Sequence, residues 1–446
     1  MFASLALDSL RADFAGSILQ PNDEGFAAVM TPHTPAVILR PVTVDDVTAA
    51  IKFASSEKLS LSVRSGGHSG GLWTTGPDGI VLDMSAFAAI TVEGDLVTVG
   101  PGATWGLVAQ TLSKHDLAIT SGDTKSVGVG GLTLGGGIGW LVRKYGLAID
   151  SLVSAELVTA GGELITASAD TNPDLFWAIR GGGGNFGVVT SFTFQGHPLD
   201  GVVHGAISYA PSSLAALLRG YRDVMRTAPE ELNVTFAKFP PMGPDMPGGP
   251  QLHVVYAGSD EAIAMEAIAP LLELDGYVSH DIRSKAYFDV LDDPHPPEPG
   301  APMPVFVGNS AFAPQLSDAL ADDLAAFDES IPSAILMLRY LQGAFNRVDA
   351  EATALAWRDS EAFVISMAFL PPTAGETETA AVDDAWSRIA PHTRGVYGNF
   401  LTYAGERAIS AMYPAQTRAQ LARVKHEYDP TNLFDQNQNV VPEAQR

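Results

Sequence analysis

The chain contains no cysteine. Disulfides, thiolate metal sites and cysteine nucleophiles are thereby excluded. Basic residues are scarce, with 26 Lys and Arg against 51 Asp and Glu, a formal net charge of −25. Nucleic acid and anionic membranes both require a basic face, so neither is an expected partner. No run of about 18 apolar residues is free of charge, so no transmembrane span is expected. The N-terminal MFASLALDSLRADFAGSILQ has no basic leader, and Asp8, Arg11 and Asp13 break its apolar pattern. Residues 1–30 therefore read as helical and not as a signal peptide, and a soluble cytoplasmic protein is expected. No P-loop is present, and no strand–GxGxxG–helix unit followed by an acid about 20 residues on fits cleanly. No metal site is expected.

What the chain has in quantity is apolar residues, 46% of the total, and glycine, 44 of 446 residues. The length is too great for one small core and suits two intertwined domains. The glycines cluster. VRSGGHSGG (63–71) follows an alternating strand-like run. GDTKSVGVGGLTLGGGIGW (122–140) is the densest stretch, and GGGGNFGVVTSF (181–192) repeats the theme after a short helical PDLFWAIR. Glycine permits positive φ and close approach of backbone to a ligand, and successive backbone N–H groups in such bends form anion-binding nests. The bends at 64–71 and 128–139 together suit a pyrophosphate. The plainer reading is tight turns between packed strands.

From residue 200 to about 395 the glycine clusters vanish. Strand-like QLHVVYAG, PVFVGNSAFA, AILMLRYLQGAF and EAFVISMAFL alternate with helical segments such as SSLAALLRGYRDVM and LSDALADDLAAFDES. This predicts a sheet backed by helices on one face. DDPHPPEPGAPMP (292–304) reads as a proline-rich loop, and TVDD places Thr43 as a cap ahead of two acids.

The three glycine motifs and the closing YDPTNLFDQNQNVVP, in this order and spacing, resemble the berberine-bridge-enzyme-like branch of the vanillyl-alcohol-oxidase (PCMH-type) flavoproteins. The resemblance covers essentially the whole chain. It implies an α+β fold: a two-subdomain PCMH-type FAD-binding domain (1–199), a substrate domain with an antiparallel sheet backed by helices (200–395), and a C-terminal segment (396–446) returning to the FAD domain. It implies an FAD-linked oxidase that takes a hydride from a small alcohol, amine or sugar-like substrate and reduces O2 to H2O2. A dehydrogenase with another acceptor, and a flavin-binding protein without turnover, are the rival readings.

The resemblance also assigns residues. Arg64, Ser65, Gly66, Gly67, His68 and Ser69 would cradle FAD, with His68 bonded to the flavin 8α-methyl. Taken alone, His68 reads as a turn histidine bonded to backbone. Gly122, Thr124, Val127, Gly128, Gly131, Gly135 and Gly139 belong to the second bend, Val189 to the third, and Asn437 and Asn439 to the C-terminal segment. Thr124 stands where many relatives have a cysteine that bonds the flavin a second time, so attachment is expected through His68 only. Leu132 replaces a frequent histidine. Val127 stands where a small residue leaves space for O2. Tyr397, in GVYGNF with Asn399, is the candidate catalytic base, and as a base it would need a lowered pKa. Tyr145 is a weaker candidate. His253, Tyr256, Asn309, Arg339 and Gln342 fall on predicted roof strands, and alternation allows only about half of such residues to face a pocket.

Overall fold

The computed structural model describes residues 4–26, 34–69, 79–241, 248–293 and 304–444. The last two glycines of VRSGGHSGG, the turn after them, and most of the proline-rich loop lie outside those residues.

The described part of the first 200 residues forms two main sheets and a short two-stranded one, Leu117–Ala118 against His197–Pro198. In the first, Val37–Arg40, Ile80–Asp83 and Leu61–Arg64 run parallel, with the short Ser17–Leu19 added antiparallel at the edge. The helix Val44–Glu57 covers this sheet through Val47, Ala50, Ile51 and Ala54. Thr43 caps that helix as its sequence predicts. Its hydroxyl accepts from Asp46 N–H at 3.1 Å, and the Asp46 carboxylate accepts from Thr43 N–H at 3.0 Å. The second sheet is antiparallel throughout, in the order Ile90–Glu93, Leu96–Val99, Val188–Gln195, Leu152–Val158 and Leu164–Ser168.

The N-terminal helix is shorter than its sequence suggests. It spans Ser4–Asp13 and gives way to the edge strand Ser17–Leu19. Gly16 is the reason: a Cβ there would lie 2.0 Å from Arg40 O, so the backbone is pressed onto the neighbouring strand. The run LAITSG (117–122) reads as a strand in the sequence, yet only Leu117–Ala118 pairs, antiparallel to His197–Pro198.

Residues 202–370 build a seven-stranded antiparallel sheet. Its order is Tyr277–Lys285, Val202–Tyr209, Gly249–Ala257, Leu232–Phe239, Ala334–Tyr340, Ala362–Leu370 and Val305–Ala313. Residues in register share a face. Leu252, Phe236, Leu338 and Val364 are in register and pack on helices Leu214–Met225, Glu261–Leu272, Asp318–Ser330 and Glu376–Trp386. The opposite face carries His253, Thr235, Arg339, Phe363 and Phe312, also in register. That face meets the second glycine bend.

Two buried ion pairs hold the parts together. Arg358 grips Asp150 with both nitrogens, at 2.7 and 2.8 Å, with the arginine side chain 1% exposed. Asp150 lies just after the second glycine bend, so this bridge joins it to the segment before the strand Ala362–Leu370. Arg358→Ala strands a buried carboxylate, and is expected to cost about 3–5 kcal/mol in denaturant unfolding. The second pair is Lys425 with Asp429, 2.7 Å apart and fully buried. Lys425 Nζ also donates to Asn185 O at 2.8 Å and Phe434 O at 3.0 Å. Asp429 accepts the N–H groups of Leu433 and Phe434. The helix Ala415–Tyr428 and the tail after it are thus fastened onto the third glycine cluster.

Candidate functional site

The first two glycine bends touch backbone to backbone. A Cβ on Gly66 would lie 2.3 Å from Gly128 N, and one on Gly128 2.2 Å from Gly66 N. No side chain fits at either position. Ser65 Oγ donates to Pro101 O at 2.5 Å and pins the first bend. Gly67 has φ +72°, and a Cβ there would press on the Arg64 guanidinium, which is 3.5 Å from Asp83. Farther along, a Cβ on Gly139 would lie 2.4 Å from Gly122 N, and Gly122 has φ +81°. Gly135 is closed by Asn399, whose Oδ1 would be 2.1 Å from an added Cβ. Nothing lies within 4 Å of a Cβ built on Gly131.

His68 and Ser69 follow Gly67, with His68 exposed and Ser69 half-buried. His68 Nε2 lies 2.8 Å from Ser126 Oγ. Thr124 and Val127 are half-buried on the same loop as Ser126, and Val127 O accepts from Trp105 N–H at 2.9 Å. Leu132 packs on the glycines around it, against Gly122 and Gly137. Val189 is buried in the core strand Val188–Gln195. Asn437 donates to Gly184 O at 3.2 Å, which places the C-terminal segment on the third cluster.

The polar atoms near these bends fit a nucleotide cofactor. Arg64 Nε, Thr133 Oγ1, Asn437 Oδ1, Gln438 Oε1 and Asn439 Oδ1 are buried without a protein partner. Buried polar atoms normally have a partner, and these border the glycine bends and the C-terminal segment. Backbone too crowded for Cβ atoms and a surplus of unpaired donors and acceptors together suit a polar, phosphate-bearing group.

Tyr397 sits between the second bend and the sheet. Its ring packs edge-on to Phe363 at 5.8 Å, and it is 3% exposed. Its hydroxyl oxygen accepts from Gly137 N–H at 2.7 Å and from Asn399 Nδ2 at 2.9 Å. Burial raises the Tyr397 pKa, while hydrogen bonds from Gly137, Ile138 and Asn399 and the charge of Arg339 pull it down; burial prevails. Tyr145 is committed elsewhere. Its hydroxyl donates to Pro198 O at 2.6 Å, its ring stacks on His197 at 4.4 Å, and burial pushes its pKa up to about 12.

The roof residues divide. His253 and Arg339 lie on the face toward the bend, in register through Thr235. Tyr256 and Asn309 lie on the opposite, helix-backed face, in register with Leu232 and, through Ser366, with Leu336. Gln342 lies past the end of its strand, at φ +52°. Arg339 is 4% exposed and pairs with Asp123, and its guanidinium lies 5.4 Å from the Trp140 ring centroid. His253 Nε2, Thr235 Oγ1, the Asn233 amide, Arg339 Nε and Asp123 Oδ1 are buried and unpaired. Burial lowers the His253 pKa against the pull of Asp123. Sequence reasoning missed Asp123, Ser126, Thr235 and Asn233. Asp123 and Ser126 stood inside a motif already singled out. Thr235 and Asn233 lay on a strand that was not recognised.

Residues 35–168 match the family model for an FAD binding domain, and residues 412–441 the one described as berberine and berberine like. (R)-6-hydroxynicotine oxidase of Paenarthrobacter nicotinovorans is 31% identical to the chain, over 96% of the chain and 97% of that protein. The chain belongs to the berberine-bridge-enzyme-like FAD-linked oxidoreductases. This member of the family is also 31% identical to xylooligosaccharide oxidase of Thermothelomyces thermophilus, over 92% of the chain and 88% of that protein. Its fold matches the crystal structure of 6-hydroxy-D-nicotine oxidase from Arthrobacter nicotinovorans with a TM-score of 0.83, at 28% identity over 96% and 98% of the two chains. The protein is therefore an FAD-linked oxidoreductase, with the α+β, PCMH-type fold its motifs imply. No described helix is long and apolar enough to cross a membrane.

Proposed function

We propose that this FAD-linked oxidoreductase is an oxidase of a small alcohol, amine or sugar-like substrate, with FAD attached through His68 alone. The FAD side comprises 1–199 with the returning 396–446, and the substrate side 200–395. When bound, FAD supplies the acceptor for the substrate hydride and passes both electrons to O2, which leaves as H2O2. The first two bends and the C-terminal segment hold the cofactor. Asn437 and Asn439 contribute the unpaired amide oxygens noted above, and Val189 acts from the core strand beneath. Thr124 offers no thiol, so the second attachment of some relatives has no counterpart.

The observation that carries the reading is the setting of Tyr397. Its oxygen is held by N–H groups from Gly137 and Asn399, directly between the cofactor bend and the polar face of the sheet. Hydrogen bonds to an oxygen favour its anionic form, and Arg339 adds positive charge from the sheet side. Burial still outweighs these groups and keeps the Tyr397 pKa raised, so its base form, able to take a substrate proton, grows only as pH rises toward the tyrosine range. The relatives named above are oxidases of a hydroxylated nicotine and of a xylooligosaccharide, which agrees with a small substrate carrying a C–H next to nitrogen or oxygen.

The test is an H2O2-coupled screen over alcohols, amines and sugars, with oxygen uptake in parallel. The oxidase reading expects stoichiometric H2O2 with the best substrate. Flavin bleaching without oxygen uptake would assign a dehydrogenase instead, and no bleaching by any substrate would leave a binding protein. Val127 bears on the oxygen step. Val127→Leu is expected to slow reoxidation of the reduced enzyme several-fold while anaerobic reduction by substrate keeps its rate. Equal slowing of both half-reactions in stopped flow would mean that the side chain acts on cofactor position.

A further inference from the structure

His68 is the end of a short chain of hydrogen bonds. Its Nε2 lies 2.8 Å from Ser126 Oγ, and that hydroxyl donates to Asp293 Oδ1 at 2.6 Å. The backbone N–H of Ser126 donates to the same carboxylate oxygen at 2.9 Å. The three residues come from three places: the first glycine bend, the GDTKSVG loop, and the segment after the helical turn Tyr287–Asp289. Asp292 N–H donates to Asp123 O at 3.0 Å, so that segment is anchored to the loop a second time. Hydrogen bonds from the Ser126 side chain and backbone keep the Asp293 carboxyl below the usual carboxylate range.

The direction of these bonds fixes the histidine tautomer. The single hydroxyl proton of Ser126 goes to Asp293, so Ser126 Oγ faces the ring as an acceptor. Nε2 therefore carries the imidazole proton, and Nδ1 carries the free lone pair. The neighbouring loop partly desolvates the exposed ring and holds His68 below the ordinary histidine pKa, with Asp293 opposing the effect and Arg64 adding to it. A neutral ring with its lone pair on Nδ1 is a nucleophile.

We infer that Ser126 and Asp293 form a proton relay that directs Nδ1 of His68 to the flavin and removes the Nε2 proton as the covalent bond forms. The inference rests on the reading of His68 as the attachment residue. The balance is simple. One bond forms, from Nδ1 to the flavin 8α carbon. That carbon gives up one proton, and Nε2 gives up another through Ser126 and Asp293 to solvent, which reaches the exposed carboxylate. The two electrons released go to dioxygen, which takes up two protons and leaves as H2O2. Ser126 and Asp293 are positioning residues here, since each acts on the flavin only through His68.

The test uses the full chain, expressed under flavin starvation and then mixed with saturating FAD. Denaturation-resistant flavin fluorescence follows attachment over time, and FAD affinity and thermal unfolding are measured alongside. Asp293→Asn keeps an oxygen for the serine proton but loses the base. Ser126→Ala breaks the relay, and Ser126→Thr restores a hydroxyl. The first two are expected to slow attachment by roughly 10²-fold, within the range of general base catalysis, while FAD affinity stays within a few-fold. Ser126→Thr is expected to recover most of the rate. Wild-type attachment rates in Asp293→Asn and Ser126→Ala would overturn the relay. So would slowing that merely follows weaker FAD binding, or that Ser126→Thr fails to rescue. A wild-type protein that binds FAD and never attaches it would overturn the His68 reading and the relay with it.

Discussion

Tyr397→Phe is expected to lower the rate of flavin reduction by substrate by about 10²–10⁴-fold, the usual contribution of a general base. The substitution removes one oxygen and keeps the ring, which packs edge-on to Phe363 and at a tilt on Phe400. Substrate affinity should therefore change little, so the loss falls on the rate constant and not on binding. The pH profile supplies a second signature. Burial raises the Tyr397 pKa, so the fraction able to accept a proton grows as pH rises toward the tyrosine range. Wild-type reduction should climb with pH over that interval, and the phenylalanine variant should lose that ionisation. If Tyr397 serves only packing, losing the hydroxyl costs about 0.5–1.5 kcal/mol of stability, and reduction stays within a few-fold of wild type. Stopped-flow reduction with the best substrate from the screen separates the two. A near-wild-type rate would transfer the role to a sheet residue such as His253, whose buried Nε2 is unpaired.

His68→Ala is expected to abolish covalent flavin. Wild-type protein denatured in acid should keep its yellow colour with the pellet, and a peptide map should show flavin on one peptide only, the one containing His68. The alanine variant should release all of its flavin or fail to retain it. The structure argues that this outcome will not be masked by unfolding. His68 is exposed, and the first bend is held by Ser65 on Pro101 and by Gly66 against Gly128, not by the imidazole. Melting temperature of the variant should therefore stay near wild type. Complete recovery of wild-type flavin in the supernatant would remove His68 from its role, and a second labelled peptide would contradict the reading of Thr124.

The cofactor side of the molecule was legible in the chain because its requirements are local. The glycine clusters themselves are plain in the chain, although what makes Gly66 and Gly128 obligatory is tertiary: a Cβ on either would strike the backbone of the other bend. Thr43 and Asp46 cap a helix through groups three residues apart. Short, nearly continuous apolar runs such as EAFVISMAFL read as buried strands. The roof of the site was less legible. Both faces of the seven-stranded sheet are largely covered, one by helices and the other by the glycine bend, so polarity does not mark which face is which. His253 and Tyr256 look alike in the sequence, yet they point to opposite sides. The strand Leu232–Phe239 does alternate over LNVTF, but its polar residues Asn233 and Thr235 are buried on the face toward the glycine bend and not in solvent, which no period reveals.

By itself, then, the sequence determined the glycine bends, the caps, most strands and helices, and, through four motifs in order, the family. Each of these is visible as local composition or as spacing within a few residues. Tertiary structure alone decided which distant groups meet. Arg339 finds Asp123 from 216 residues away, Arg358 finds Asp150 from 208, Tyr397 finds Gly137 from 260, and Asp293 reaches Ser126 from 167. No periodicity encodes such pairs, because the energy that joins them comes from burying the sheet against the glycine bend, and that geometry exists only once the whole chain has folded.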